Sequence, residues 1–255
     1  MVKTKVDFNS DIGESFGQYK LGLDGEIIQH VSSVNIACGF HAGDPMWMSK
    51  TVRLAEKNGV GIGAHPSYPD LQGFGRRNMN IEPEEVKNDV IYQIGALTGF
   101  TSNKKLQHVK PHGAMYNNAV KDEKLAAAIC SAIIEADSKL ILLALSGSRW
   151  ISIAKEMGLK VAQEVFADRA INNDGSLVSR SIDGSVLHDP DLIAERSLKM
   201  IKQGYITSID GEDVEVDADS ICMHGDNPAA VKIAAEVKGA LKSSGIEIVP
   251  LSELL

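Results

Sequence analysis

The sequence predicts an α/β chain closed into a barrel, and three observations carry that prediction. Short apolar runs alternate with amphipathic helical stretches along the whole chain. The helical stretches open on capping residues, several of them followed by proline, and close on glycine. Polar and ionisable residues gather just after the apolar runs. Alternating strand and helix implies a parallel sheet, and so many units in series imply closure.

Strands are expected at residues 2–8, 34–37, 60–64, 106–110, 140–144, 161–165, 221–223 and 246–249. Asp44-Pro45, Asp189-Pro190 and Asn227-Pro228 each set a capping side chain before a proline at the first helical position. The proline's missing N–H would have no intrahelical partner there in any case. Gly59, Gly158, Gly204 and Gly245 mark helix ends, because glycine reaches the left-handed conformation that closes a last turn. Val86, Val90, Ile94 and Leu97 keep helical spacing after Pro83, as do Leu125, Ile129 and Ile133 after Asp122. Two segments break the rhythm. Residues 172–190 hold Asp174-Gly175 and Asp183-Gly184, and residues 204–219 hold Asp210-Gly211. Asp-Gly between β-prone residues signals a hairpin, so small hairpins are expected there. The first follows a strand and is placed to cover the site. The second follows a helix and is expected on the other rim.

A length of 255 residues suits one barrel, so residues 1–255 are expected to form a single domain. The net charge of −8 argues against nucleic acid or an anionic membrane as the main partner. A local Lys/Arg cluster can still take a small anion. Cys38, Cys130 and Cys222 form no CxxC motif, which excludes a disulfide framework and points to a reducing compartment. The first residues lack an apolar leader, and no apolar run approaches the ~20 residues of a membrane span. A cytoplasmic protein is expected.

The chemistry lies after the strands. The first runs into Asp7, Asn9, Asp11 and Glu14; the second leads to Asn35, His41 and Asp44. The next end at His65, then at Lys110 and His112. Later ones give Glu164, Asp168 and Arg169, then His224 and Asp226. Both faces of a parallel barrel strand are buried, so such residues face the lumen or its mouth. Period two puts Asp7, Asn9 and Asp11 on one face and pairs Lys110 with His112 and Cys222 with His224. Barrels of this kind work at the carboxyl-end face. Four of the seven histidines fall there, a pattern that isolated structural histidines do not explain. Asp44 and Asn227 read as helix caps, His108 as structural, and His30 and His188 as surface residues.

The candidate catalytic residues are Asp11, His41, His65, Lys110, His112, Glu164, Asp168 and His224. Glu14, Arg76, Arg169 and Asp226 are candidate substrate-binding residues. Asp11, His65 and His112 form a ligand set suited to zinc or a similar divalent ion. Metal-free acid/base work, with Lys110 and Arg169 balancing anions, fits the same residues equally. No GxxxxGK[ST] phosphate loop is present, and Gly61-Ile-Gly63 reads as tight strand packing. The segment Gly73-Phe74-Gly75-Arg76-Arg77 is either an anion-binding loop or a mobile one.

DFNSDIGESFG, NIACGFHAGDP, GAHPSYPDLQGFGRR, VKPHGAMYN, EVFADRAI and CMHGDNP resemble the signature blocks of the lactam-utilisation (LamB/YcsF) family, spread from residue 7 to residue 228. The resemblance implies a seven-stranded barrel like those of glycoside hydrolases and deacetylases, with the eighth strand, 246–249, outside it. It implies the A subunit of a prokaryotic 5-oxoprolinase, opening 5-oxo-L-proline to L-glutamate with ATP. Subunits B and C are the implied partners, and the ATP site is shared with or supplied by them. Related sugar deacetylases hold a metal through an Asp and two His, the analogy behind Asp11, His65 and His112. Two other readings stand beside it: a stand-alone metal-dependent amide or N-acetyl hydrolase, and a non-catalytic 5-oxoproline-binding subunit.

Overall fold

The computed structural model describes residues 3–224 and 229–255. Seven parallel strands close into a ring: β1 (Lys5–Ile12), β2 (Ser33–Ala37), β3 (Gly61–His65), β4 (His108–Val109), β5 (Ile141–Leu145), β6 (Lys160–Phe166) and β9 (Ser220–His224). β9 pairs with both β6 and β1, which completes the circle. Between them in the chain lie α1 (Asp24–Ile27), α2 (Pro45–Asn58), α3 (Pro83–Phe100), α4 (Gly113–Ala119), α5 (Glu123–Asp137), α6 (Arg149–Glu156) and α7 (Pro190–Gln203). After α7 comes a hairpin of β7 (Tyr205–Thr207) and β8 (Asp213–Glu215). α8 (Ala230–Ser243) leads to β10 (Glu247–Ile248), which pairs with the start of β1 outside the closed ring. The seven-stranded barrel with an eighth strand outside is the expected architecture.

The helix starts follow their caps. Asp44 accepts from the N–H groups of Met46 and Trp47, Asp122 from Lys124 and Leu125, and Asp189 from Asp191 and Leu192. Gly59 and Gly204 close α2 and α7 in the left-handed conformation, at φ 67° and 73°. Asn227-Pro228 lies outside the described residues. The core fills the space between ring and helices: Val6, Phe8 and Ile12 of β1 are buried there with Val52, Val90, Ile129 and Ile233. The alternate residues of β1 are polar and equally buried, so the two faces of one strand serve core and lumen.

Two expected strands shift. β1 runs Lys5–Ile12 rather than 2–8, so Asp7, Asn9 and Asp11 all lie inside it. β4 shrinks to two residues, although Gln107 N and Lys110 N still bond Ile62 O and Ala64 O of β3. Gly61 and Gly63 do serve close packing: a Cβ on either would overlap the Gln107 amide or the His108 ring.

The segment after β6 corrects an expectation. Among the described residues, 172–189 contains no hairpin ladder, only the isolated bridges Arg169–Val186 and Ile171–Leu177. Scattered backbone bonds, such as Ala170 N to Ser185 O and Val178 N to Ala170 O, are supplemented by side chains rather than extended into a ladder. Asp174 accepts from Ser176 N, and Arg169 donates to the carbonyls of Ser185 and Val178. The β7–β8 hairpin forms, but it is not confined to the opposite rim. Ile209 N bonds Ile171 O and Ser208 Oγ bonds Asn173 Oδ1, so the two insertions brace each other.

Candidate functional site

A hydrogen-bonded column fills the lumen. At its base Asp7 accepts from Ser32 Oγ (2.8 Å), Ser33 Oγ (2.6 Å) and Ser220 Oγ (2.5 Å). Burial pushes the Asp7 carboxyl up to about 6. Asn9 Nδ2 donates to Ser220 Oγ and Glu164 Oε1, and Asn35 Nδ2 donates to Asn9 Oδ1 and Asp11 Oδ1. His108 meets Asn35 Oδ1 through Nε2 at 2.7 Å. Burial, with Lys110 nearby, lowers His108 to about 3. It is a neutral structural ring, as expected.

Lys110 is the buried cation of the column. Its Nζ lies 2.9 Å from Asp11 Oδ1, 3.1 Å from Glu164 Oε1 and 2.8 Å from Cys222 Sγ. Burial pulls its pKa down, but Asp11, Cys222 and Glu164 outweigh that and hold it well above the usual lysine value. Tyr116 OH donates to the other oxygen of Glu164. Lys110 is therefore charged at neutral pH, one shell beneath the histidines.

Above it three histidines and a glutamate converge. His65 closes β3, His112 precedes α4, and His41 and Glu14 follow β2 and β1. One ligand atom from each of the four lies within 4.8 Å of the others. His65 Nδ1 donates to Lys110 O at 2.5 Å, and His112 Nε2 donates to Phe74 O at 2.9 Å. Carbonyls only accept, so both ring tautomers are fixed. His65 Nε2 and His112 Nδ1 then face each other at 2.9 Å. In neutral rings these are two lone pairs, and a proton or a cation between them removes the repulsion. Burial, reinforced by neighbouring histidines, pushes His41 and His112 well below the usual imidazole value, which favours that neutral form. Histidine ligands to metals commonly donate their other N–H to a carbonyl in this way. His41 Nε2 sits 3.2 Å from Glu14 Oε1, and its ring stacks on His112 at 3.8 Å.

The loop over the cluster needs its glycine. Phe74 and Gly75 adopt φ 54° and 66°, and a Cβ on Gly75 would crowd Ser67, His41 and His112. Arg77 of this loop pairs with Asp70, so only Arg76 of the two arginines lines the site cavity.

That cavity is about 250 Å³. His65, His112, Lys110 and Asp11 line one part, with Phe166, Leu177 and Val178 as apolar walls. Arg76, Arg169 and Arg180 also line it. Arg169 uses Nε and Nη2 on backbone carbonyls; among the described residues its Nη1 has no hydrogen-bond partner. Burial and then Arg180 lower it to about 10, with Arg76 adding to the effect. These arginines suit the cavity to an anion.

The structure gathers most of the candidate residues. Asp11, His65, Lys110 and His112 share the cavity with Arg76 and Arg169. Glu164 lies beneath Lys110. Asp168 does not line the cavity; it acts electrostatically on Arg169 and Arg196. The expected ligand set Asp11, His65, His112 is regrouped. Asp11 Oδ1 is engaged by Lys110 and Asn35, its Oδ2 is 3.4 Å from His65 Nε2, and Glu14 and His41 complete the group of four instead. His224 is the last residue of β9, paired with Asp11; its side chain and all of Asp226 lie outside the described residues. Sequence reasoning missed Tyr116 and Arg180. Tyr116 stands four residues after His112, a helical spacing that could have flagged it. Arg180 carried no signal.

Fold and site define a (β/α)-barrel protein with an acid, lysine and histidine centre at the carboxyl ends of its strands, where such barrels carry out chemistry. The chain belongs to the LamB/YcsF family, whose profile matches residues 6–255. It is 58% identical over 253 residues to a Thermococcus onnurineus protein named as the A subunit of 5-oxoprolinase, covering 98% of this chain and 99% of that one. A Pyrococcus furiosus protein of the same name is 55% identical over the same shares. The crystal structure of a lactam utilization protein from Thermus thermophilus superposes with a TM-score of 0.90 at 46% identity, covering 96% of this chain and 99% of that one. A T48 deacetylase, at TM-score 0.52 and 14% identity over 99% of this chain and 90% of that one, shares the fold. Among the described residues no helix is long and apolar enough to cross a membrane.

Proposed function

We propose that residues 1–255 act as one unit, the A subunit of an ATP-dependent 5-oxoprolinase that opens 5-oxo-L-proline to L-glutamate together with subunits B and C in the cytoplasm. One observation carries this reading. The cavity brings a histidine–lysine centre, apolar side chains and three arginines together around one space. A small ring bearing one carboxylate matches it: the ring against Phe166, Leu177 and Val178, the carboxylate at Arg76 and Arg169, the lactam carbonyl toward Lys110 and the histidines. A volume of about 250 Å³ is below the ~300–1,000 Å³ of sites for drug-sized ligands. That suits this ring better than a nucleotide and supports ATP bound at a site shared with or supplied by the partners.

An unstrained lactam is a resonance-stabilised amide and resists attack. Coupling to ATP supplies activation, by phosphoryl transfer to the carbonyl oxygen. Water then adds at that carbon and the C–N bond breaks as the nitrogen takes a proton, which leaves an acyl phosphate; a second water attacks it and releases phosphate and L-glutamate. Without an ion between them, the facing ring nitrogens of His65 and His112 are placed to accept the proton from water. Lys110, held charged by Asp11 and Glu164, faces the developing negative charge. Arg169, with its fork anchored, holds carboxylate or phosphoryl oxygens. The donor set of Glu14, His41, His65 and His112, with two tautomers fixed by carbonyls, fits a divalent ion. Such an ion would supply Lewis acidity and a more acidic water.

The test is reconstitution. Glutamate formation from 5-oxoproline is measured for this chain with and without subunits B and C, and with and without ATP. Glutamate only with all components is expected, and His112→Ala, folded by circular dichroism, should lower turnover by about 10²–10⁴-fold. Deacetylation by the isolated chain would point to a stand-alone hydrolase. A His112→Ala variant that changes affinity but not maximal rate would point to a binding subunit.

A further inference from the structure

A second cavity, about 400 Å³, backs onto the same cluster: Glu14, His41 and Phe74 line it. Its other walls are apolar and open. Phe16, Tyr19, Leu21 and Leu71 line it and are 37, 74, 44 and 43% exposed. A neighbouring cavity of about 560 Å³ shares Leu21 and continues the apolar strip to Leu23 and Trp47. Lys20, Lys50, Arg53 and Lys57 flank that end. Among the described residues none of the four makes an ion pair. Two carboxylates stand with them, Asp24 and Glu26. Asp24 is committed to Gly13 N. A chain of net charge −8 thus carries an apolar strip with a cationic flank beside its site.

We propose that this strip is the docking face for a companion protein subunit whose contact surface has an apolar, protruding centre and an acidic flank. Contiguous exposed apolar surface of this kind marks interaction sites. The charge selects the occupant. A symmetric contact with a second copy centred on the cationic end would set the same four cations against themselves, and one centred elsewhere on the strip would leave them without acidic partners. The apolar side chains line concave cavities, which a protruding side chain fills and a flat lipid surface does not. Docking there covers Glu14 and His41 and leaves the arginine-lined cavity as the route for substrate. The proposal rests on the multi-subunit reading above.

The full-length chain is mixed with purified subunits B and C from the same source, and association is followed by size-exclusion chromatography with light scattering. Wild type should co-elute with a companion, and added salt should weaken the complex. Tyr19→Glu and the double variant Lys50→Glu/Arg53→Glu should each weaken it by about tenfold or more. The charge reversal should also flatten the salt dependence. Met157→Glu, after α6 across the ring, should bind like wild type, and all variants should keep the wild-type circular dichroism spectrum. Wild-type affinity in both face variants overturns the docking face while leaving the multi-subunit reading intact. No wild-type complex under any condition overturns both. Self-association of the chain alone that Tyr19→Glu abolishes, or co-sedimentation with phosphatidylglycerol vesicles, overturns the assigned occupant.

Discussion

Asp7 shows what a lumen asks of a single residue. It is fully enclosed, and three serine hydroxyls satisfy its oxygens, yet burial still raises its pKa from the ordinary 3.8 to about 6. The folded state therefore holds the proton more tightly than the unfolded chain. The stability this adds is complete below about pH 4 and is lost as pH rises through about 6. About two units correspond to an order of 3 kcal/mol. Asp7→Asn lacks the titration, so the wild-type stability minus that of Asp7→Asn should fall by up to about 3 kcal/mol between pH 4 and pH 8. Urea unfolding at a series of pH values measures it, and a flat difference would refute it. The polar face of β1 was legible from period two alone, because alternation in a strand is geometric. The convergence of Glu14 and His41 on His65 and His112 was not. It depends on how the closed ring sets the ends of β1 to β4 side by side.

The insertion after β6 shows the limit at the scale of elements. Its Asp-Gly pairs are real turns, with Gly175 and Gly184 at φ 81° and 76°, but no ladder forms between them. Arg169 organises the segment, bonding two carbonyls sixteen and nine residues downstream. Arg196 of α7 bonds the carbonyls of Phe166, Ala167 and Arg169 behind it. Backbone groups satisfied by long-range arginines leave no local periodicity, so the sequence reads as a hairpin. It also hides Arg180, which reaches the cavity only because the segment folds back. Arg169→Ala leaves the Val178 carbonyl without its donor, at about 1–3 kcal/mol for a buried group, whereas Ser185 O keeps the Ala170 N–H. Limited proteolysis should therefore accelerate within 172–189 before any other segment, and Arg169→Lys should not restore protection, since an ammonium lacks the planar fork. Cleavage that is unchanged, or that begins elsewhere, would show that the arginine does not hold the segment.

The whole barrel divides its labour around the ring. Four consecutive strands, β1 to β4, deliver Glu14, His41, His65 and His112, one from each strand end. The rest of the ring supplies Glu164 and Cys222 below, and Arg169 and Arg180 at the cavity. A divalent ion in the four-residue group would tie four strand-end loops that helices otherwise keep apart in sequence. Binding to the folded state alone adds about 2.7 kcal/mol at a free concentration one hundred times Kd. In a chain of this size that corresponds to a thermal midpoint about 5–10 °C higher. Protein purified without an affinity tag should therefore lose several degrees on dialysis against a chelator and regain them with zinc, with elemental analysis tracking one ion per chain. His112→Ala should abolish the response by removing a ligand, whereas Asp7→Asn, at the base of the column, should keep it. An equal response in His112→Ala would place the ion elsewhere. No response and no stoichiometric metal would leave the facing nitrogens of His65 and His112 sharing a proton, and the chemistry to acid and base alone.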